Sequence, residues 1–201
     1  MKKIIMLVTM LLVSINSHAT LLSIELDQES YQVGDVLTAD FVISDIEEDV
    51  LGFQKLLATF DFTISWDNSV INYDSSSFGN KLNVGFGGSD QSVFDIMTDS
   101  VTLSEVSYAW WDELLPVQDG LSQFVLASVN FDVTSAGTSM LDFTSVIFGD
   151  DFGSSFVDVS STNASFSVNS AVPVDVPEPM TILLMVIALT VLARQRKLFV
   201  S

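Results

Sequence analysis

The sequence predicts an all-β domain made of two antiparallel sheets packed face to face as a sandwich. Two segments alternate apolar and polar residues with a strict period of two, turn-forming residues separate many short apolar runs, and almost nothing carries a helical period. Phe60, Phe62, Ile64 and Trp66 alternate with Asp61, Thr63, Ser65 and Asp67. Val125, Ala127, Val129, Phe131 and Val133 alternate with Leu126, Ser128, Asn130 and Asp132. Each such strand has one wet and one dry face, and two dry faces must meet to leave water.

At the N-terminus, Lys2 and Lys3 precede an apolar run from Ile4 to Ile15, followed by Ser17-His18-Ala19. A basic start, a short apolar core and small residues at the −3 and −1 positions make a secretory signal peptide over 1–19, cut between Ala19 and Thr20. The other reading, a permanent anchor, suits a longer apolar run with no cleavage site behind it.

The remaining predicted strands are Leu21 to Leu26, Val36 to Ile43, Val70 to Tyr73, Val101 to Val106, Met140 to Phe143, Val146 to Phe148, Phe156 to Val159 and Ala164 to Val168. Turn signals stand between them: Val33-Gly34-Asp35, Trp66-Asp67-Asn68-Ser69, Phe86-Gly87-Gly88-Ser89-Asp90, Ala136-Gly137-Thr138 and Gly149-Asp150-Asp151. There is no internal repeat. One domain over 20–169 and a linker over 170–175 then lead to a C-terminal segment over 176–201.

In that segment Val176-Pro177-Glu178-Pro179 enters an uncharged run over 180–193, closed by Arg194-Gln195-Arg196-Lys197. The prolines enforce an extended entry, and the run reads as a membrane helix. At 1.5 Å per residue it spans roughly 21 Å, short of the ~30 Å hydrocarbon thickness, so crossing needs a thinned bilayer and snorkelling basic residues. The basic tail stays cytoplasmic by the positive-inside rule, as Lys2 and Lys3 independently require, and the domain lies on the far side. A plain anchor helix is the simpler reading. The order of elements closely resembles the PEP-CTERM sorting signal, with Pro177, Glu178, Pro179, Arg194, Arg196 and Lys197 at that family's positions. The resemblance implies that an exosortase recognises and cleaves the tail during transit to the surface of a Gram-negative cell that makes an exopolysaccharide matrix.

Charge and residue usage exclude several functions. All 26 acidic residues lie between Glu25 and Glu178, a stretch with only Lys55 and Lys81 as cations and a balance of −24. Nucleic acid is therefore not a partner, because phosphate binding needs clustered Lys and Arg. With 48% hydrophobic residues and 15 Phe the chain nonetheless folds, with an acidic surface. There is no cysteine, and the single histidine, His18, lies in the leader, so thiol chemistry, a Ser-His-Asp set and a histidine-bound zinc are absent from the mature chain. A glycosidase would need two carboxylates at a set separation, and no spacing singles out a pair. The domain is read as non-catalytic.

The domain itself resembles the cohesin family, including cohesin-like domains of other PEP-CTERM proteins, over roughly Leu21 to Val168. The resemblance rests on three pieces in family order: Tyr31-Gln32-Val33-Gly34-Asp35 before an alternating strand; Phe60-Asp61-Phe62 through Trp66-Asp67-Asn68-Ser69-Val70-Ile71, with its aspartate-centred turn; and Leu126 through Val133 followed by Ala136-Gly137-Thr138-Ser139. It implies a nine-stranded jelly-roll sandwich that binds a dockerin module through one face. The chain holds no dockerin-type calcium loop of its own, so any dockerin lies on another chain.

Two further features bear on ligands. Trp110 and Trp111, beside Tyr108, are the residues most like a sugar platform. Neighbours in a strand point to opposite faces, however, so the expected arrangement buries one and lays the other over a loop ending at Pro116. Trp66 belongs to a core stripe. Asp45, Glu47, Glu48, Asp49 and Asp150-Asp151 are oxygen-rich and could hold calcium, although such clusters are more often solvated loops. The leading expectation is an exported scaffold that joins protein partners at the cell surface or in the matrix. The alternatives are a carbohydrate-binding module for matrix polysaccharide and a self-associating matrix protein.

Overall fold

The computed structural model describes residues 19–49 and 51–170, together with Met185. The signal peptide before Ala19, the linker from 171 and the sorting signal, including Pro177, Glu178, Pro179, Arg194, Arg196 and Lys197, lie outside these residues apart from Met185. No helix among the described residues is long and apolar enough to cross a membrane.

Between residues 19 and 170 the described residues form eleven strands and one helix, in order: β1 (Thr20–Leu26), β2 (Ser30–Gln32), β3 (Val36–Ser44), β4 (Leu57–Ser65), β5 (Ile71–Phe78), β6 (Ser89–Phe94), β7 (Ser100–Ser107), α1 (Trp111–Gln118), β8 (Gln123–Val133), β9 (Gly137–Asp150), β10 (Val159–Thr162) and β11 (Ala164–Asn169). One sheet has the order β10-β1-β3-β8-β5 and the other β2-β11-β9-β4-β7-β6. The expected two-sheet sandwich is there, but its sheets are mixed. β1 pairs in parallel with β10, and β11 with β2.

The alternating segments fill the space between the sheets. Phe60, Phe62 and Ile64 of β4 are fully buried, and Trp66 just beyond them is nearly so. Phe62 lies 4.9 Å from Phe41 of the facing sheet and 5.4 Å from Phe60, measured between ring centroids. Trp66 meets Phe131 of β8 edge-on at 5.0 Å.

Four sequence expectations are corrected. In β8 the phase slips: Leu126 is buried and Val125 is outside, because Leu126 is an extra residue between the pairs Phe41–Ala127 and Val42–Val125. The predicted break between Phe143 and Val146 is likewise a bulge at Thr144, inside one 14-residue strand. The turn signals at Ser89-Asp90 and Gly137-Thr138 open β6 and β9, and Gly149-Asp150 closes β9. Finally, the stretch expected to be a loop ending at Pro116 forms α1, with Pro116 inside it. The helix survives because it is short and Asp112, whose carbonyl loses the Pro116 partner, is exposed to water.

Candidate binding surfaces

The outer face of β9-β4-β7-β6 is built by register. Three rows cross it: Ile147, Asp61, Ser104 and Ser92; Ser145, Thr63, Thr102 and Phe94; Gly149, Thr59, Val106 and Asp90. Ile147, Val106 and Phe94 are exposed among small hydroxylated residues, and Thr63 and Thr102 bond to each other at 2.9 Å. The opposite face of the sandwich differs. There Glu25, Asp40 and Ser128 lie side by side, as do Thr38 and Asn130, with Asp40 accepting from Ser128 Oγ at 2.5 Å and Thr38 Oγ1 donating to Asn130 Oδ1 at 2.9 Å. Its exposed apolar residues, Val36 and Val125, stand near opposite ends of β3 and β8. Only the first face gathers three exposed apolar residues, Ile147, Phe94 and Val106, in adjacent rows, with serine and threonine hydroxyls and the carboxylates of Asp61 and Asp90 around them, the mix of a protein-binding patch.

Beneath that first face is a buried carboxylate. Glu105 points inward opposite Phe60, and its Oε1 accepts from Ser89 Oγ at 2.6 Å and Gln91 Nε2 at 2.9 Å. Burial pushes its carboxyl above the usual range, against the opposing pull of those two hydrogen bonds.

The tryptophans are not placed as expected. Neither is in a strand: Trp110 is the N-cap of α1 and Trp111 its first residue, 75% and 56% exposed. Neither enters the core. Tyr108 is 58% exposed and Phe86, from the loop before β6, is fully exposed. One side chain ties the two segments together, since Glu113 accepts from Phe86 N–H at 3.1 Å and from Trp110 N–H at 2.9 Å. Sequence reasoning missed Phe86 because its neighbours in space are more than twenty residues away.

Three of the acidic residues considered for calcium, Glu47, Asp49 and Asp150, are engaged otherwise. Glu47 is ion-paired with Lys55 at 2.5 Å and faces the N–H groups of Val157 and Asp158; Lys55 also lies 3.9 Å from Asp150. Asp49 and Asp150 each accept two N–H bonds inside their own turns. Among the described residues no group of three or more His, Cys, Asp or Glu is arranged to hold a metal ion. A shallow groove across β4, β9 and β11 is lined by Glu29, Asp67, Met140 and Asp142, and beside it Trp66 Nε1 and Ser139 Oγ are buried with no hydrogen-bond partner. At the predicted leader junction, Ala19 is exposed and Thr20 opens β1, its N–H donating to Asp158 O at 2.8 Å.

No family model matches the chain, and no curated protein does. Solved structures do. A cohesin module from the family 33 glycoside hydrolase of Clostridium perfringens superposes with a TM-score of 0.60 at 12% identity, covering 77% of this chain and all of that one. A type II cohesin domain from the cellulosome of Acetivibrio cellulolyticus gives 0.60 at 18% identity, covering 74% and 95%. The sixth cohesin of that organism's scaffoldin B, solved in complex with a Cel5 dockerin, gives 0.56 at 18% identity, covering 75% and 99%. At such identities the likeness is one of fold, and the fold is cohesin-like.

Proposed function

We propose that this chain is an exported, non-catalytic binding domain that docks a dockerin-type protein partner on the outer face of β9-β4-β7-β6. The observation that carries the reading is the pairing of a cohesin-like fold, seen in complex with dockerins, with a face where Ile147, Val106 and Phe94 stand exposed among hydroxyls. Apolar anchors gathered in adjacent rows suit association, whereas on the opposite face Val36 and Val125 stand at opposite ends of their strands.

The test places a photo-crosslinking residue at Ser104, in the middle of the face, in the full-length protein in its native cell. The expected result is one crosslinked partner that carries a dockerin-like module, lost on Ile147→Arg. Crosslinks from Glu25 on the opposite face but none from Ser104 would sink the reading.

Export completes the proposal. A signal peptide cut between Ala19 and Thr20 releases a domain whose first strand starts at the new N-terminus, with no spacer to trim. The Pro177-Glu178-Pro179 motif, the run over 180–193 and Arg194, Arg196 and Lys197 then serve as an exosortase-read address, with the membrane holding the chain only before processing. Mass spectrometry of surface-exposed protein should find Thr20 as the first residue and Arg194 to Ser201 missing; a retained tail makes the segment an anchor instead.

A further inference from the structure

We propose a second binding site, independent of the protein-docking face: Phe86, Tyr108, Trp110 and Trp111 form a stacking platform for a glycan made of neutral or amino-sugar hexopyranoses, and it rejects uronate polymers.

The first support is that the rings are free. Among the described residues none of the four takes part in an aromatic pair with another ring, although eight such pairs tie up the aromatic residues of the sandwich core and its edges. All four are exposed, so the apolar faces of the rings are open to water. Open, unshared aromatic faces match the C–H faces of pyranose rings, and the indole N–H groups can donate to sugar hydroxyls.

The second is that the platform is held, not loose. Glu113 bonds to the backbone of both Phe86 and Trp110, and Tyr108 N–H donates to Gly88 O at 2.9 Å. A Cβ on Gly87 would sit 2.8 Å from Tyr108 O, so only glycine lets the loop approach this closely. Ser107 Oγ anchors the same corner to Leu82 O at 2.6 Å. Rigid presentation spares the binding step much of its ordering entropy.

The third is composition and charge. The set contains no aliphatic residue, unlike the sheet face with Ile147 and Val106, and so is suited to rings rather than to the mixed core of a protein contact. Asp112 and Asp90 are exposed on the adjoining segments, and between Lys81 and Arg194 the sequence has no cation. Lys81 is the one cation on the neighbouring loop, its carbonyl bonded to Gln118 at the end of α1, and against Asp90 and Asp112 a uronate would meet net repulsion. A hexosamine ammonium gains from both the carboxylates and the ring faces.

Fluorescence titration of the full-length protein with cellohexaose, chitosan hexasaccharide and alginate hexasaccharide tests this. The first two should perturb the tryptophan emission saturably, chitosan at the lower concentration and alginate not at all. Trp110→Ala and Trp111→Ala should each weaken binding at least tenfold, with Trp66→Phe leaving it unchanged. Melting curves report whether each variant folds, and the milder Trp110→Phe, which keeps an aromatic face, should retain most of the affinity. The proposal fails if neither neutral nor amino-sugar chains bind, if alginate binds as well, or if chitosan binding survives both alanine variants and is merely abolished by salt. None of these outcomes touches the Ser104 crosslinking result.

Discussion

Gln118 and Leu57 form a closed amide pair: Leu57 N–H donates to Gln118 Oε1 and Gln118 Nε2 donates to Leu57 O, each at 2.8 Å. Gln118 is fully buried, and its Nε2 also reaches Lys81 O at 3.1 Å. One side chain in the last turn of α1 thus supplies the hydrogen bonds that β4 lacks at its first residue, and with buried Leu114 it pins the helix to the sandwich.

Gln118→Leu should therefore cost about 2–3 kcal/mol by leaving the Leu57 N–H and C=O unpaired in the interior. Urea denaturation reads this as a lower midpoint at unchanged slope. Hydrogen exchange at Leu57 should quicken as well. A midpoint within error of the parent would mean that water replaces the amide freely.

Glu105 gives a pH prediction. Its carboxyl is raised in the folded state, so the native form holds the proton more tightly than the unfolded form does. Stability from this group is then greatest below the ordinary glutamate range and falls as pH rises through the higher native value, above which the full cost of the buried charge remains. Glu105→Gln keeps an acceptor for Ser89 and Gln91 and removes the charge. It should stabilise the domain at neutral pH and flatten the fall of stability as pH rises above the ordinary glutamate range. A parallel slope in the variant would assign the dependence to other groups.

Phe62→Ala tests the centre of the core. Phe62 packs against Phe41, Phe60 and Phe143 at centroid distances of 4.9, 5.4 and 5.8 Å and joins both sheets. Truncation should cost about 3–5 kcal/mol. Thermal melting would show it, and a loss under 1 kcal/mol would mean that the sheets close over the void.

Much of this was legible in the sequence where the physics is local. Period-two alternation marked β4 from Phe60 onward because each side chain there answers to one sheet face. Leu126 and Thr144 were misread because a bulge shifts the pattern by one residue with no change in composition. The parallel partners of β1 and β2 lie more than a hundred residues away, which no local pattern encodes. Helix α1 stayed hidden because it is only eight residues long, contains Pro116, and is fixed by Gln118 rather than by an apolar stripe. For the same reason Trp110 and Trp111 were assigned strand geometry and one of them a place in the core. The docking face was illegible until register brought Ile147, Asp61 and Ser104 into one row.

Ser139 offers a complementary case. Its hydroxyl is buried without a partner, so Ser139→Ala removes an unmet hydrogen bond and should leave stability unchanged or raise it by up to about 1 kcal/mol. A clear loss in a denaturation curve would reveal that the hydroxyl has a partner in solution.

Lys55 is the sharpest test of how an acidic domain tolerates its interior charges. It is one of two cations between Glu25 and Glu178, and it is largely enclosed. Its ammonium bonds Glu47, lies 3.9 Å from Asp150 and sits 5.3 Å from the centre of the Phe156 ring. Glu47 in turn faces the N–H groups leading into β10, so the ion pair joins the loop after β3 to the strand that pairs with β1. Lys55→Met keeps the aliphatic stem but strands two buried carboxylates, and should cost about 3–5 kcal/mol at neutral pH. The double variant Lys55→Met/Glu47→Gln removes one of those charges together with its partner. It should recover more than half of the loss, because most of the penalty comes from the unpaired carboxylate and not from the missing attraction. Chemical denaturation of the four proteins of this cycle measures the coupling. If the double variant is as unstable as the single one, the ion pair itself holds this end of the sandwich together.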